Sequence, residues 1–289
     1  MSSQPSQCIA VGEASEITRA PILVVTRFSF LGTSGWKSDA SRDAVLLFET
    51  ARLRSRLDLF GGITLPSLRG QTDPDFHHLV LTSSELPEWA MEELKCLCNT
   101  AYDHSHRRFT ILARPSAPAR RPLRKFMERH FKTDHIVQVV LDDDDGLAID
   151  FVARLRRDLE GLGPDDLAGV SARPFFISYA LGYALVLRSS TGQGYGTGTE
   201  PVIFRQRYPF INAGLTMVGT PSGKNILAIS HRKAPKRFGH RLLGGARMFL
   251  RTVHDFNDSR VEPVERWQPV VEKQCEADLT RRFPYLEGL

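Results

Sequence analysis

Four consecutive aspartates, Asp142, Asp143, Asp144 and Asp145, are the residues of this chain best suited to chemistry. The run before them, residues 136–141, is rich in β-branched residues and lacks Gly and Pro, which predicts a buried strand. Apolar residues then recur at the four-residue spacing of one helix face, at Leu147, Phe151, Leu155 and Leu159. The aspartates are therefore predicted to lie at the carboxyl end of a strand, directly before a helix.

That position favours ligand binding, because open α/β sheets bind ligands beyond the carboxyl ends of their strands. Four adjacent carboxylates repel one another, so they need a compensating positive charge to stay ionised away from bulk water. A divalent cation supplies that charge, and oxygen ligands suit magnesium or manganese, which keep positions open for substrate phosphates. The alternative is a solvated acidic loop that caps the following helix, since Asp is a good N-cap residue.

The first part of the chain predicts alternating strands and helices. Strands are predicted at residues 22–27, 78–82, 109–113 and 136–141. Helices are predicted at residues 42–60, 63–71 with a kink at Pro66, 87–99, 122–131 and from Leu147 onward. Strands joined by helical crossovers predict a mostly parallel, right-handed α/β layer structure.

After Gly161 the pattern changes to strands separated by turn residues. These strands are predicted at residues 175–188, 202–204, 211–218, 226–230 and 248–254. Their connections are too short for helices, which predicts antiparallel or mixed pairing. A glycine-rich stretch, residues 192–198, resembles a phosphate loop only superficially, because no strand leads it into a helix, and it favours a flexible turn or lid. We predict a single α/β domain with a mixed central sheet flanked by helices, divided into segments 1–20, 21–160, 161–261 and 262–289.

Composition is that of an ordinary globular protein of 289 residues with a net charge of +5. The basic residues concentrate in two segments, 107–132 and 232–251, which fits a phosphorylated substrate, a membrane surface or nucleic acid; solvated helix faces are the alternative. The four cysteines lack metal or disulfide spacing, which favours reduced thiols in a cytosolic protein. No stretch approaches the roughly 20 apolar residues of a membrane span, and the first residues, a predicted flexible tail, lack the apolar run of a secretory signal.

Four motifs follow one another along the chain. They are Thr26-Arg27-Phe28-Ser29; Leu65-Pro66-Ser67-Leu68 with Gln71-Thr72-Asp73; residues 141–148; and Val253-His254 with Asn257 and Ser259. In this order they resemble the bacterial family called putative rhamnosyltransferases, of the GT-A type of glycosyltransferase. The resemblance runs from about Pro21 to Arg260. It implies a GT-A-like fold and metal-dependent transfer of a sugar, with rhamnose as a candidate, from a nucleotide-diphosphate donor to a bacterial glycan or lipid-linked acceptor in polysaccharide biosynthesis.

The resemblance also implies a metal site. In GT-A enzymes the Asp-x-Asp carboxylates hold Mn²⁺ or Mg²⁺ on the diphosphate of the donor, where the ion neutralises charge on the departing nucleotide. Asp142 and Asp144 match that spacing, one for the sugar or ribose and one for the metal, and Asp145 faces either the metal or the next helix. His254 is the later candidate ligand of the metal or diphosphate, with a surface histidine at a strand end as the alternative.

The remaining candidate contacts to the nucleotide sugar lie mostly at predicted strand ends. Arg27 could bind a phosphate with its guanidinium or pack on the base, or instead form an ion pair with the acidic loop. The full predicted set is Thr26, Arg27, Ser83, Arg114, Asp142, Asp143 and Asn257. The run His231-Arg232-Lys233 competes with His254 as a diphosphate site.

No catalytic base stands out, since Asp165, Asp166 and Glu200 are all conceivable. Two other function classes stay open. A metal-dependent phosphohydrolase also uses a strand-end Asp cluster, although here the cluster follows the fourth strand rather than the first. A non-catalytic protein that binds nucleotides or an anionic polymer is the second, and it would not need four aspartates. The favoured function predicts donor and acceptor partners, peripheral membrane contact, no nucleic acid, and a cytoplasmic location at the inner face of the plasma membrane.

Overall fold

The computed structural model describes most of the chain, with gaps. The described residues are 17–32, 43–105, 108–163, 166, 169–187, 201–254, 256–257, 268–269 and 273–287. The predicted glycine-rich turn at residues 192–198 lies outside them, as do Asp165, Glu200 and Ser259. Within these ranges no helix combines the length and the apolar character that crossing a bilayer requires.

The strands of the described ranges form a single sheet. They are β1 (Ile22–Phe28), β2 (His77–Ser83), β3 (Phe109–Arg114), β4 (Ile136–Val140), β5 (Gly146–Leu147), β6 (Phe175–Val186), β7 (Val202–Arg207), β8 (Leu215–Gly219), β9 (His240–Val253) and β10 (Gln268–Pro269). The order is β10-β7-β6-β8-β4-β1-β2-β3, and β9 pairs with both β6 and β5. Strands β3, β2, β1 and β4 are parallel, whereas β8 runs antiparallel to β4. The predicted mixed central sheet is confirmed, and strands from both predicted halves share it.

Helices precede and follow these strands. They are α1 (Ala44–Leu47), α2 (Thr50–Leu59), α3 (Leu65–Arg69), α4 (Glu88–Ala101), α5 (Arg120–His130), α6 (Phe151–Glu160), α7 (Ala234–Arg237) and α8 (Lys273–Arg282). A π-helical turn, Phe60–Thr64, joins α2 to α3. Helix α2 begins where the Glu49 side chain accepts the backbone amides of Ala51 and Arg52, which satisfies donors that have no partner inside the helix.

The sheet is covered on both faces. Alternate side chains of its central strands point to opposite sides, and each side packs against apolar residues. In β1, Ile22 and Val24 join a large core cluster that contains apolar residues of α2, α3, α4 and α6. Leu23 and Val25 join a second cluster, on the other face, with apolar residues of α5 and of residues 226–238. This explains why the central strands are almost continuously apolar.

Several predicted elements were wrong in detail. The helix predicted at 42–60 is divided into α1 and α2, and the strand predicted at 211–218 begins at Leu215. Residues 226–230 were predicted as a strand but form a 3₁₀ turn, Ile226–Ala228, whose apolar side chains pack on α5. The strand predicted at 248–254 is only the end of the fourteen-residue β9. The helix predicted from Leu147 begins at Phe151, because Gly146–Leu147 pairs with β9. Pro66 lies at the start of α3, where its missing N–H is tolerated.

Candidate functional site

The acidic loop lies where the sequence predicted it, directly after β4 and beside the end of β1. Three of its carboxylate residues, Asp143, Asp144 and Asp145, are buried. The Asp142 side chain is 22% exposed, so it is the carboxylate of the loop that a ligand in solvent reaches most easily.

Arg27 forms the ion pair that the sequence offered as one alternative. Its Nη2 lies 3.0 Å from Oδ1 of Asp142, and the arginine is almost fully buried. The side-chain amide of Asn212 approaches the other oxygen of Asp142 at 3.5 Å. Asp142 is therefore oriented from two sides, by the end of β1 and by the loop before β8.

Three predicted nucleotide-sugar contacts take other positions. The Thr26 hydroxyl is buried and bonds Nε2 of His78 at 3.0 Å. The Ser83 hydroxyl is buried and accepts the amide of Glu85 at 3.1 Å. Arg114 is exposed, and its guanidinium donates to the carbonyl of Ala113. The structure does not bring these side chains to the acidic loop, and their donor-binding roles stay predictions.

Arg56 is the principal site residue that was not predicted from the sequence. Its Nη1 contacts Oδ1 of Asp143 and lies 3.3 Å from Oδ2 of Asp144, and its side chain is 3% exposed. Arg52, one helical turn earlier, donates to the carbonyl of Phe256 at 3.1 Å, and Arg56 reaches the same carbonyl at 3.4 Å. The signal was present, because both arginines lie on the apolar stripe of a predicted helix, where a charged side chain needs a buried partner.

His254 and Asn257 meet the acidic loop from the end of β9. Nε2 of His254 lies 3.0 Å from Oδ2 of Asp144, and Nδ2 of Asn257 lies 3.4 Å from the same oxygen. Oδ1 of Asn257 accepts the backbone amide of His254 at 2.6 Å, which holds the two residues together. The His254 side chain is 6% exposed, so it is not a surface histidine.

The pKa values of two neighbouring carboxyls of the loop are shifted in opposite directions. Burial alone would raise the pKa of Asp144, but the charge of Arg56 and the contact with His254 outweigh it and lower this pKa to about 2. Burial, together with the charges of Asp144 and Asp142, raises the pKa of Asp145. Asp145 accepts the backbone amide of Thr252 at 2.9 Å, which attaches the loop to β9.

Two protein groups of this site are of the kinds that bind divalent cations. Among the described residues, no group of three or more His, Cys, Asp or Glu side chains is placed to hold a metal ion. An ionised oxygen of Asp144 and a ring nitrogen of His254 nevertheless converge, and Mg²⁺ is commonly held by one or two protein groups plus substrate phosphates. Asp142 and Asp145 engage Arg27 and Thr252, and their predicted metal roles stay predictions.

His231, the competing candidate, bonds to the loop before β8. Its Nδ1 is 2.7 Å from the carbonyl oxygen of Phe210, so Nδ1 carries the proton. Burial lowers the pKa of His231, and the charges of Asp142 and Arg27 also act on it, which places it beside the acidic loop. The candidate base Asp166 is instead engaged by Arg241 at 2.5 Å.

Comparison with known proteins decides the family. The family described as "Putative rhamnosyl transferase" matches residues 21–266. The chain belongs to this family. The family's description names a glycosyltransferase, the class that the order of motifs predicted. No curated protein matches this chain. Among solved structures, S. aureus TarS is similar, with 8% sequence identity and a TM-score of 0.33. The match covers 81% of this chain and 37% of TarS, so the chain spans little more than a third of that protein.

Proposed function

We propose that this glycosyltransferase moves a sugar, with rhamnose as the leading candidate, from a nucleotide-diphosphate donor to a glycan or lipid-linked acceptor. The donor would bind at the acidic loop, with Asp144 and His254 holding a manganese or magnesium ion. The observation that carries the proposal is the convergence of these two side chains at the carboxyl edge of β4, 3.0 Å apart, inside a chain of this family.

The buried charges suit a phosphorylated donor. The charge of Arg56 favours the ionised form of Asp144, and the side chain of Asn257 fixes the His254 backbone. When bound, the cation would neutralise negative charge that develops on the departing nucleoside diphosphate. Asp142 is the most exposed carboxylate of the loop, and Arg27 orients it to accept hydrogen bonds from hydroxyls of the donor's ribose or sugar.

Asp145 takes a structural role in this account. Its carboxyl faces Thr252, and the Asp144 carbonyl accepts the Thr252 hydroxyl at 2.7 Å. The pair of contacts fixes the acidic loop to the strand that leads to His254. We assign the donor side to a cytoplasmic location, where nucleotide sugars are made, and this assignment follows from the donor class rather than from the fold.

Release of nucleoside diphosphate from UDP-, dTDP- and GDP-sugars in the presence of Mn²⁺ tests the proposal. Asp142→Asn is expected to lower turnover by about 10²-fold or more, since an interaction made with the reacting donor is lost. The matched control is Asp75→Asn, an identical change at a carboxylate whose side chain is 88% exposed. Equal turnover in wild type and Asp142→Asn, or no turnover of any donor by wild type, would count against the proposal.

A further inference from the structure

Parts of the two basic segments, helix α5 and residues 232–237, lie on one face of the fold. Asn225 donates to the carbonyl of Arg120 at 2.7 Å, which fixes the turn after β8 to the start of α5. Beneath this contact, Leu123 and Met127 of α5 share a core cluster with Ile226 and Ala234. The segment 224–237 therefore lies beside α5 and covers the same face of the sheet.

Helix α5 contributes the first half of a strongly basic surface. It exposes Arg120, Arg121, Arg124, Lys125 and Arg129, while its apolar residues face the core. Glu128 is the helix's single acidic residue, and it pairs with Arg124 at 3.6 Å. An exposed pair of this kind is weak, so the face keeps a large excess of positive charge.

The neighbouring segment, residues 224–237, contributes the second half. It exposes Lys224, Arg232, Lys233, Lys236 and Arg237, and it contains no Asp or Glu. We call the exposed Lys and Arg side chains of α5 and of residues 224–237 the basic surface. Within the part of the chain that the structure describes, Arg124 is the one member with a carboxylate at ion-pair distance.

The basic surface borders the candidate donor site. Helix α5 follows β3, so it begins at the carboxyl edge of the parallel strands, where the acidic loop also lies. At the other half of the surface, His231 immediately precedes Arg232 and lies close enough to Asp142 for that charge to act on its pKa. A partner held on this surface would therefore lie next to the edge of the sheet where the donor site is proposed.

We propose that the basic surface docks the protein on an anionic lipid bilayer. The charges are spread over two adjacent elements, and α5 alone extends about 16 Å, which matches a plane of phosphates better than a single chain lying in a groove. Clusters of four to eight Lys or Arg at a surface are sufficient for binding to acidic lipids. The lipid binding is independent of the donor chemistry, whereas its value for delivering a lipid-linked acceptor rests on the proposed function.

Co-sedimentation of the full chain with vesicles tests this inference. We expect binding to phosphatidylcholine vesicles that contain phosphatidylglycerol, no binding to pure phosphatidylcholine, and loss of binding as salt rises. The variant Lys125→Glu, Arg129→Glu, Lys233→Glu reverses three charges of the basic surface. It should bind acidic vesicles on the order of a hundredfold more weakly.

The matched control reverses three exposed charges on the opposite helical layer. Arg69→Glu, Lys95→Glu, Arg157→Glu changes the net charge equally and should retain most of the binding. Equal losses in both triple variants, or equal binding to neutral vesicles, would overturn the inference. Binding to soluble polyphosphate with no binding to acidic vesicles would overturn it too, and would indicate an anionic polymer as partner. Nucleotide binding, measured separately, reports on the donor site and is expected to be unchanged in both variants.

Discussion

Nε2 of His254 lies 3.0 Å from Oδ2 of Asp144, although the two residues are 110 positions apart. One follows β4 and the other follows β9, and Asp145 joins the two elements through the amide of Thr252. The site is therefore assembled from two distant parts of the sequence, and its geometry depends on the buried arginines that hold the acidic loop.

Replacing Arg56 with Met should destabilise the protein strongly. The change removes a positive charge from the buried carboxylates Asp143 and Asp144, and loss of one partner of a buried pair costs about 3 kcal/mol or more. Urea unfolding measures the change in the free energy of unfolding. Arg54→Met is the control, because Arg54 is exposed and its ion pair with Glu93 spans 3.8 Å. Similar losses in both variants would show that Arg56 does not hold the loop.

Arg56→Lys separates charge from geometry. Lysine keeps one positive charge but lacks the planar fork that contacts two carboxylates and the Phe256 carbonyl together. We expect this variant to retain more stability than Arg56→Met while losing at least about tenfold in kcat. Wild-type kcat in Arg56→Lys would indicate that the fork does not position the site.

A substitution at Gly146 tests the packing next to the aspartates. A Cβ at this position would lie 2.5 Å from Oη of Tyr285 and 3.2 Å from Cγ2 of Ile63. Gly146→Ala should therefore lower the free energy of unfolding by about 1 to 3 kcal/mol, as overpacking does. Adding Tyr285→Phe removes the closest atom. The double variant should therefore lose less free energy of unfolding than the two single variants lose in sum. Strict additivity would contradict the contact.

His78 should make stability depend on pH. Its ring is buried between Tyr102 and Thr26, and burial lowers its pKa from 6.5 to about 3. Below pH 6.5 the unfolded chain takes up a proton that the folded protein excludes, so the free energy of unfolding falls by about 1.4 kcal/mol per pH unit towards pH 3. Above pH 6.5 this contribution is complete.

The comparison of wild type with His78→Gln isolates that contribution. The difference in their free energies of unfolding should shrink by about 1.4 kcal/mol between pH 7.5 and pH 5.5, because glutamine does not titrate. Urea unfolding at the two pH values measures it. A difference that does not change with pH would mean that the pKa of His78 is the same in the folded protein as in the unfolded chain.

The strand before the aspartates was predictable because residues 136–141 are apolar except for Gln138, and both faces of that strand are covered. Arg56 was missed although it lies on the apolar stripe of its helix, because only the tertiary structure shows which carboxylates partner it there. Residues 226–230 were wrongly predicted as a strand because Ile226 and its neighbours are apolar. The backbone amide of Ile226 donates instead to the side chain of Gln138. The first half of β9 is largely exposed, so it lacks the apolar pattern that marks a buried strand.

The central claim is that Asp144 and His254 form a cation-dependent site for a nucleoside diphosphate. Calorimetric titration of UDP, dTDP and GDP, with and without Mn²⁺, into wild type, Asp144→Asn, His254→Ala and the control Asp75→Asn tests it most directly. The account predicts that one nucleotide binds only with Mn²⁺, that binding weakens by about 10-fold or more in Asp144→Asn and His254→Ala, and that Asp75→Asn resembles wild type. Binding that is equally tight without Mn²⁺, or unchanged in Asp144→Asn, would contradict it.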